Sequence, residues 1–186
     1  LVASRQGLDG RTVRGSIDDY WDGYASSEPD PFIGNWSEHS YGDAIGDYMR
    51  TSQSLYNNVD GWTRYWYKAD GSKYQCSAID DSHNDDGAVG QAEFYNAKGY
   101  AVETCYNQMT NNVAAAGFTL AEYKSEIDSG HPVIIHVTGH TMLGVGYDTA
   151  NRNIYIHDTW DNSLHTMPWG GTYDGMQLLA VSVIHP

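Results

Sequence analysis

The stretch Gly139-His140-Thr141-Met142-Leu143-Gly144-Val145-Gly146-Tyr147-Asp148, with Asn153-Ile154-Tyr155-Ile156-His157-Asp158 behind it, decides the reading of this chain. Both runs are apolar and β-prone, and the short polar segment between them suits a turn. Paired as neighbouring strands, they bring His140, at the head of the first, near Asp158, at the end of the second. An imidazole beside a carboxylate is the base and orienter of a nucleophilic site. Neither run contains the nucleophile.

Working outward, Thr119-Leu120-Ala121-Glu122 is a capping box that opens a helix with Leu120, Tyr123, Lys124 and Ile127, ending at Gly130. The runs Pro132–Val137, Thr141–Tyr147, Asn153–His157, Ser163–Trp169 and Gln177–Ile184 then read as successive strands joined by short turns. Upstream, a short helix is expected over Thr12–Tyr20 and a second from Ser40 to Ser52. A third helix is expected over Ala88–Ala97, stopping at Gly99. Trp62–Tyr67, Lys73–Ser77 and Tyr100–Thr104 are β-prone. Helices dominate the first half and an antiparallel sheet of about five strands the second, which predicts an α+β fold. No repeat or linker divides the chain, so 1–186 is read as one domain.

Composition narrows the function. The chain holds 24 acidic and 10 basic residues, a formal net charge of −14, which phosphate backbones and anionic membrane surfaces repel. Nucleic acid is therefore an unsuitable partner. No apolar run approaches the roughly 20 residues that span a bilayer. Fifteen Tyr and six Trp against three Phe suit half-buried sheet positions, wet interfaces and sugar-binding surfaces. Few Lys, many Asp, Asn, Gly and Tyr, and a first residue Leu1 point to a processed, secreted protein. In such a chain Cys76 and Cys105 pair by default, closing a loop on the order of 30 residues and contributing on the order of 3 kcal/mol.

The chain resembles the papain-like cysteine peptidases, in the branch of bacteriocin-leader peptidases and related exported bacterial proteins. The matching residues are Phe118–Val137, Gly139-His140 with Met142–Asp148, Tyr155-Ile156-His157-Asp158-Thr159-Trp160-Asp161, and Trp169-Gly170-Gly171. His39–Asp43 and Tyr48–Gln53 are similar more loosely. The resemblance implies a papain-like fold, with His140 as general base and Asp158 as its orienter. It also implies a nucleophilic Cys at the start of the first long helix, where the helix dipole favours a thiolate.

Counting back from Tyr20-Trp21-Asp22-Gly23 places Asp9 at that position, and no cysteine lies in residues 1–75. Gln6 is too close to Asp9 to be assigned the family's oxyanion role. Three readings of Asp9 follow. A catalytically silent relative would keep the cleft and work by binding or extracellular assembly; a carboxylate is a poor nucleophile and would raise the His140 pKa. An active cysteine peptidase would require Cys at position 9. A small divalent-metal site could use Asp9, His140 and Asp158. The first is preferred, with a peptide or protein, another copy of the chain or a glycan as partner, and no cofactor required. Asp80-Asp81-Ser82-His83-Asn84-Asp85-Asp86-Gly87 has oxygen donors suited to calcium but not the spacing of an EF-hand, so a solvated loop is the stronger reading. His157 should point to the face opposite Asp158 and serve packing.

Overall fold

The computed structural model describes residues 45–51, 62–79 and 86–186. The chain divides into two compact units. One holds the described residues up to Trp66, with Ile79 and 86–102; the other holds Tyr67–Ala78 and Glu103–His185. The expected Thr12–Tyr20 helix and Asp9 lie outside the described residues, as does the expected Ser40 cap.

In the first unit, α1 (Ile45–Tyr48) is the described helical part of the expected second helix, and α2 spans Gly87–Ala97. Asp86 caps α2: one carboxylate oxygen accepts from the Ala88 and Val89 N–H groups at 2.8 and 3.1 Å. The other accepts from the Trp66 N–H at 2.7 Å, and Gly87 N–H donates to the Arg64 carbonyl at 2.8 Å. These bonds are why Trp62–Tyr67, though β-prone, forms no strand beyond an isolated Arg64–Asp86 bridge. The segment's polar groups serve the start of α2. Asp86 is buried, so this end of the acidic loop is a helix cap; Asp80–Asp85 lie outside the described residues. Phe94, on α2, is fully buried and meets Tyr48 edge-on at 5.6 Å between ring centroids.

The second unit is an antiparallel sheet of eight strands with one α-helix, an α+β arrangement with more strands than the five expected. The strands are β1 (Tyr74–Gln75), β2 (Thr104–Met109), β3 (Val133–Val137), β4 (His140–Tyr147), β5 (Asn153–His157), β6 (His165–Pro168), β7 (Thr172–Tyr173) and β8 (Met176–His185). Their order is β1-β2-β8-β3-β4-β5-β6, with β7 paired to β8. The last strand in sequence is thus central, flanked by β2 and β3, and its apolar run Leu178–Ile184 suits burial on both faces. The strand expected over Tyr100–Thr104 begins only at Thr104. The residues before it finish α2 instead: Tyr100 N–H donates to the Tyr95 carbonyl and Val102 N–H to the Asn96 side chain.

The β1–β2 register, Tyr74 opposite Asn107 and Gln75 opposite Tyr106, carries Cys76 to Cys105. Their Cα atoms are 5.4 Å apart and the two are joined in a disulfide. The helix α3 (Leu120–Asp128) starts at the capping box read from the sequence: Thr119 Oγ1 accepts from the Glu122 N–H at 3.2 Å, and Glu122 accepts from the Thr119 N–H at 2.7 Å.

One buried side chain explains Gly144 of the motif strand. Tyr123, on α3, is fully buried against the sheet, and its hydroxyl donates to the Gly146 carbonyl at 2.9 Å. A Cβ on Gly144 would lie 2.6 Å from that hydroxyl. Gly144 is therefore the space that the Tyr123 ring needs. Between Gly144 and Gly146 the β4–β5 register shifts by a bulge at Val145. Around this point Val133, Ile135, Met142, Ile156, Met167 and Trp169 form the core with Tyr123 and Phe118.

The opposite face of the sheet carries a polar row. The Ser182 hydroxyl donates to Asn107 Oδ1 at 2.5 Å, and so receives the His136 Nε2–H at 2.8 Å. His136 Nδ1 then accepts from the Thr141 hydroxyl at 3.2 Å. Four strands are tied by one neutral imidazole, and burial pushes its pKa down from 6.5 to about 3. A serine beside a histidine invites a hydrolase reading. Ser182 is fully buried, however, and its proton is directed away from the imidazole, so the row serves structure.

Candidate functional site

β3 and β4 are joined by Thr138-Gly139, a two-residue turn closed by the Val137–His140 pair. Gly139 has φ +80°, a conformation that glycine adopts without a Cβ penalty. The turn sets His140 at the first position of β4. Extending the β4–β5 register from Leu143–His157 and Gly144–Ile156 puts His140 across from Trp160. The two rings stack, with centroids 4.8 Å apart and planes 21° from parallel.

His140 meets Asp158, but not through the group that the sequence suggests. Its Nε2 lies 2.6 Å from the Asp158 main-chain carbonyl oxygen. A carbonyl can only accept, so Nε2 carries a proton, and in the neutral imidazole Nδ1 keeps its lone pair. Among the described residues Nδ1 has no hydrogen-bond partner. The imidazole is therefore oriented by the main chain and presents Nδ1 as its basic atom.

The Asp158 carboxylate is occupied elsewhere. It accepts from the Tyr173 hydroxyl at 2.6 Å and the Trp160 N–H at 3.1 Å, and His165 Nε2 lies 3.5 Å away. These contacts bend the chain just after β5. Thr159 between them sits at φ +71°, a left-handed conformation that costs a β-branched residue on the order of 1–3 kcal/mol. The turn so formed aims the Asp158 carbonyl at His140. Burial alone would raise the Asp158 pKa; the bonds from Tyr173 and Trp160, aided by the His165 charge, outweigh it and hold the carboxyl below its usual range. Tyr173 is pushed up to about 12 by burial and by the carboxylate it serves. His165 is raised by its hydrogen bond to Asp161, 3.0 Å away, and the Asp161 carboxyl is correspondingly lowered.

The expected pair His140 and Asp158 is thus brought together, with the orienting role on the carbonyl. Asp9 lies outside the described residues. His157 is half-buried on β5, opposite Leu143. Nothing in the local sequence marks Tyr173, fifteen residues beyond Asp158. Asp161 and His165, four residues apart, become partners only through this turn. Asp158, Asp161 and His165 can each offer one ligand atom, all within 4.8 Å of one another, a set that could hold a divalent cation. His140 is outside that set. Trp160, 55% exposed, places an apolar surface beside the imidazole.

No described helix is long and apolar enough to cross a membrane. No curated protein and no solved structure matches the chain. A family profile described as the Peptidase_C39 like family matches residues 65–172, a span that contains the β3–β4 turn, His140 and the Asp158 turn. Over more than half its length, and across the element that positions the imidazole, the chain belongs to the Peptidase_C39 like family.

Proposed function

We propose that this papain-like, peptidase-related domain keeps the imidazole of its family's site, does not hydrolyse peptides, and binds a peptide or protein segment outside the cell. One observation carries the reading. Both cysteines among these 186 residues are consumed in the Cys76–Cys105 disulfide, so His140 has no thiol here to activate. An oriented imidazole whose Nδ1 has no partner among the described residues is then a hydrogen-bond acceptor, and the neighbouring Trp160 offers contact area to an apolar side chain. The net charge of −14 favours basic partners and raises their encounter rate. The disulfide suits an oxidising compartment.

The test is a panel of peptides incubated with the chain and read by mass spectrometry, in parallel with a retention assay. The panel should stay intact, basic peptides should be retained, and Trp160→Ala should weaken retention at least fivefold. In the aligned-nucleophile reading, Asp9→Cys gains cleavage and a further His140→Ala removes it. Cleavage by the unmodified chain that His140→Ala abolishes would overturn the proposal. So would retention of nothing by a folded chain. A folded Asp9→Cys variant with no gain would remove Asp9 from the nucleophile position.

A further inference from the structure

At the other end of the sheet, Glu126, His131 and His185 converge. We infer that these three side chains form a binding site for a divalent transition-metal ion of the zinc class, separate from the His140 site. Each offers one ligand atom, and the three atoms lie within 4.8 Å of one another. His185 Nε2 is 2.7 Å and His131 Nδ1 3.5 Å from the same Glu126 oxygen, Oε2. The two imidazoles stack, with centroids 3.8 Å apart. His131 Nδ1 is shielded from solvent, lies beside the carboxylate and forms no hydrogen bond among the described residues.

The backbone holds the three in place. His131 N–H donates to the Glu126 carbonyl and Gly130 N–H to the Ile127 carbonyl, both at 2.9 Å. With Gly130 at φ +85°, this is the Schellman ending of α3. It fixes His131 back over Glu126. The β3–β8 register, Ile134 opposite Ser182, brings His131 opposite His185 when extended past the last pair. On its other side His185 is tied to β2 by the bond from the Glu103 N–H to its carbonyl, at 2.9 Å.

Two imidazoles and one carboxylate suit zinc, whose ligands sit about 2.0–2.2 Å from the metal and hence roughly 3.3 Å from one another in a tetrahedron. Reaching that geometry requires closing ligand-atom separations by up to roughly 1.5 Å, rotating the imidazoles out of their stack so that both in-plane lone pairs meet the ion, and moving the proton off His185 Nε2. The side chains of Glu126, His131 and His185 are 18%, 42% and 22% exposed, so an ion can enter and a water can complete its shell. Calcium, which prefers oxygen ligands, is a poor fit. Bound there, the ion would pin the end of β8 to the end of α3.

The chain, stripped with a chelator, is titrated with Zn²⁺ by calorimetry and with Co²⁺ by absorption and by NMR of the histidine ring protons. One ion per chain should bind, and at a hundredfold excess over Kd the thermal midpoint should rise by about 5–10 °C. In the unmodified chain Co²⁺ should shift or broaden the ring signals of His131 and His185 before those of His140 and His165. His131→Ala and His185→Ala should each weaken binding at least tenfold, and His165→Ala should not. Absence of binding by the folded chain, or Co²⁺ effects centred on His165 or His140, would overturn the inference. The NMR result on the unmodified chain decides the matter even if a variant fails to fold.

Discussion

Acid should weaken this fold through one buried histidine. His136 is held neutral between Thr141 and Ser182, with its pKa lowered from 6.5 to about 3 by burial. In the unfolded chain the same ring takes a proton below about pH 6.5. Between those two values the unfolded state binds more protons, so stability rises with pH across the window. The contribution is fully present above pH 6.5, is lost progressively as pH falls, and levels off near pH 3. Linkage puts the loss at about 2 kcal/mol on going from pH 8 to pH 5. Urea unfolding followed by near-ultraviolet circular dichroism at the two pH values measures the total change. Repeating it with His136→Leu isolates the contribution of this ring, since the other titrating groups remain. The difference between the two chains should shrink by about 2 kcal/mol from pH 8 to pH 5. In the native protein the His136 ring protons should keep constant chemical shifts down to pH 5. A native His136 titrating near 6.5, or parallel pH profiles for the two chains, would refute the reasoning.

Other perturbations test the packing and the site turn. Gly144→Ala should cost about 2–4 kcal/mol, because the added carbon meets the buried Tyr123 ring and strains its bond to Gly146; a loss below about 0.5 kcal/mol in denaturant unfolding would contradict that packing. Tyr173→Phe removes a donor from the buried Asp158 carboxylate, so the Asp158 pKa should rise and stability should fall by about 1–3 kcal/mol. Carbon-detected NMR of the carboxyl, with the unfolding midpoint, reads both effects. If the carboxyl titrates unchanged, Tyr173 does not hold it.

Much of this was legible because periodicity reports burial. The alternation through Asn153–His157, the apolar run of Gln177–Ile184 and the Thr119–Glu122 box each encode a local answer that the tertiary structure keeps. Trp62–Tyr67 shows the limit. Its composition favours a strand, but its backbone groups are drawn to the start of α2 by the buried Asp86 carboxylate. The Cys76–Cys105 pairing followed from cysteine count and compartment, whereas the register that makes it possible required β1 to lie on β2.

By itself, the sequence determined that His140 heads one strand and Asp158 follows the end of its neighbour, and the family resemblance made that pair a candidate site. It also determined that no thiol other than Cys76 and Cys105 exists in these residues. Only the tertiary structure decided which atom of Asp158 faces the imidazole. A carboxylate and a carbonyl of one residue are indistinguishable in a motif. The choice depends on Tyr173, distant in sequence, claiming the carboxylate and on Thr159 accepting a left-handed turn. The same holds for Glu126, His131 and His185, which strand register and a helix ending bring together across about sixty residues of chain.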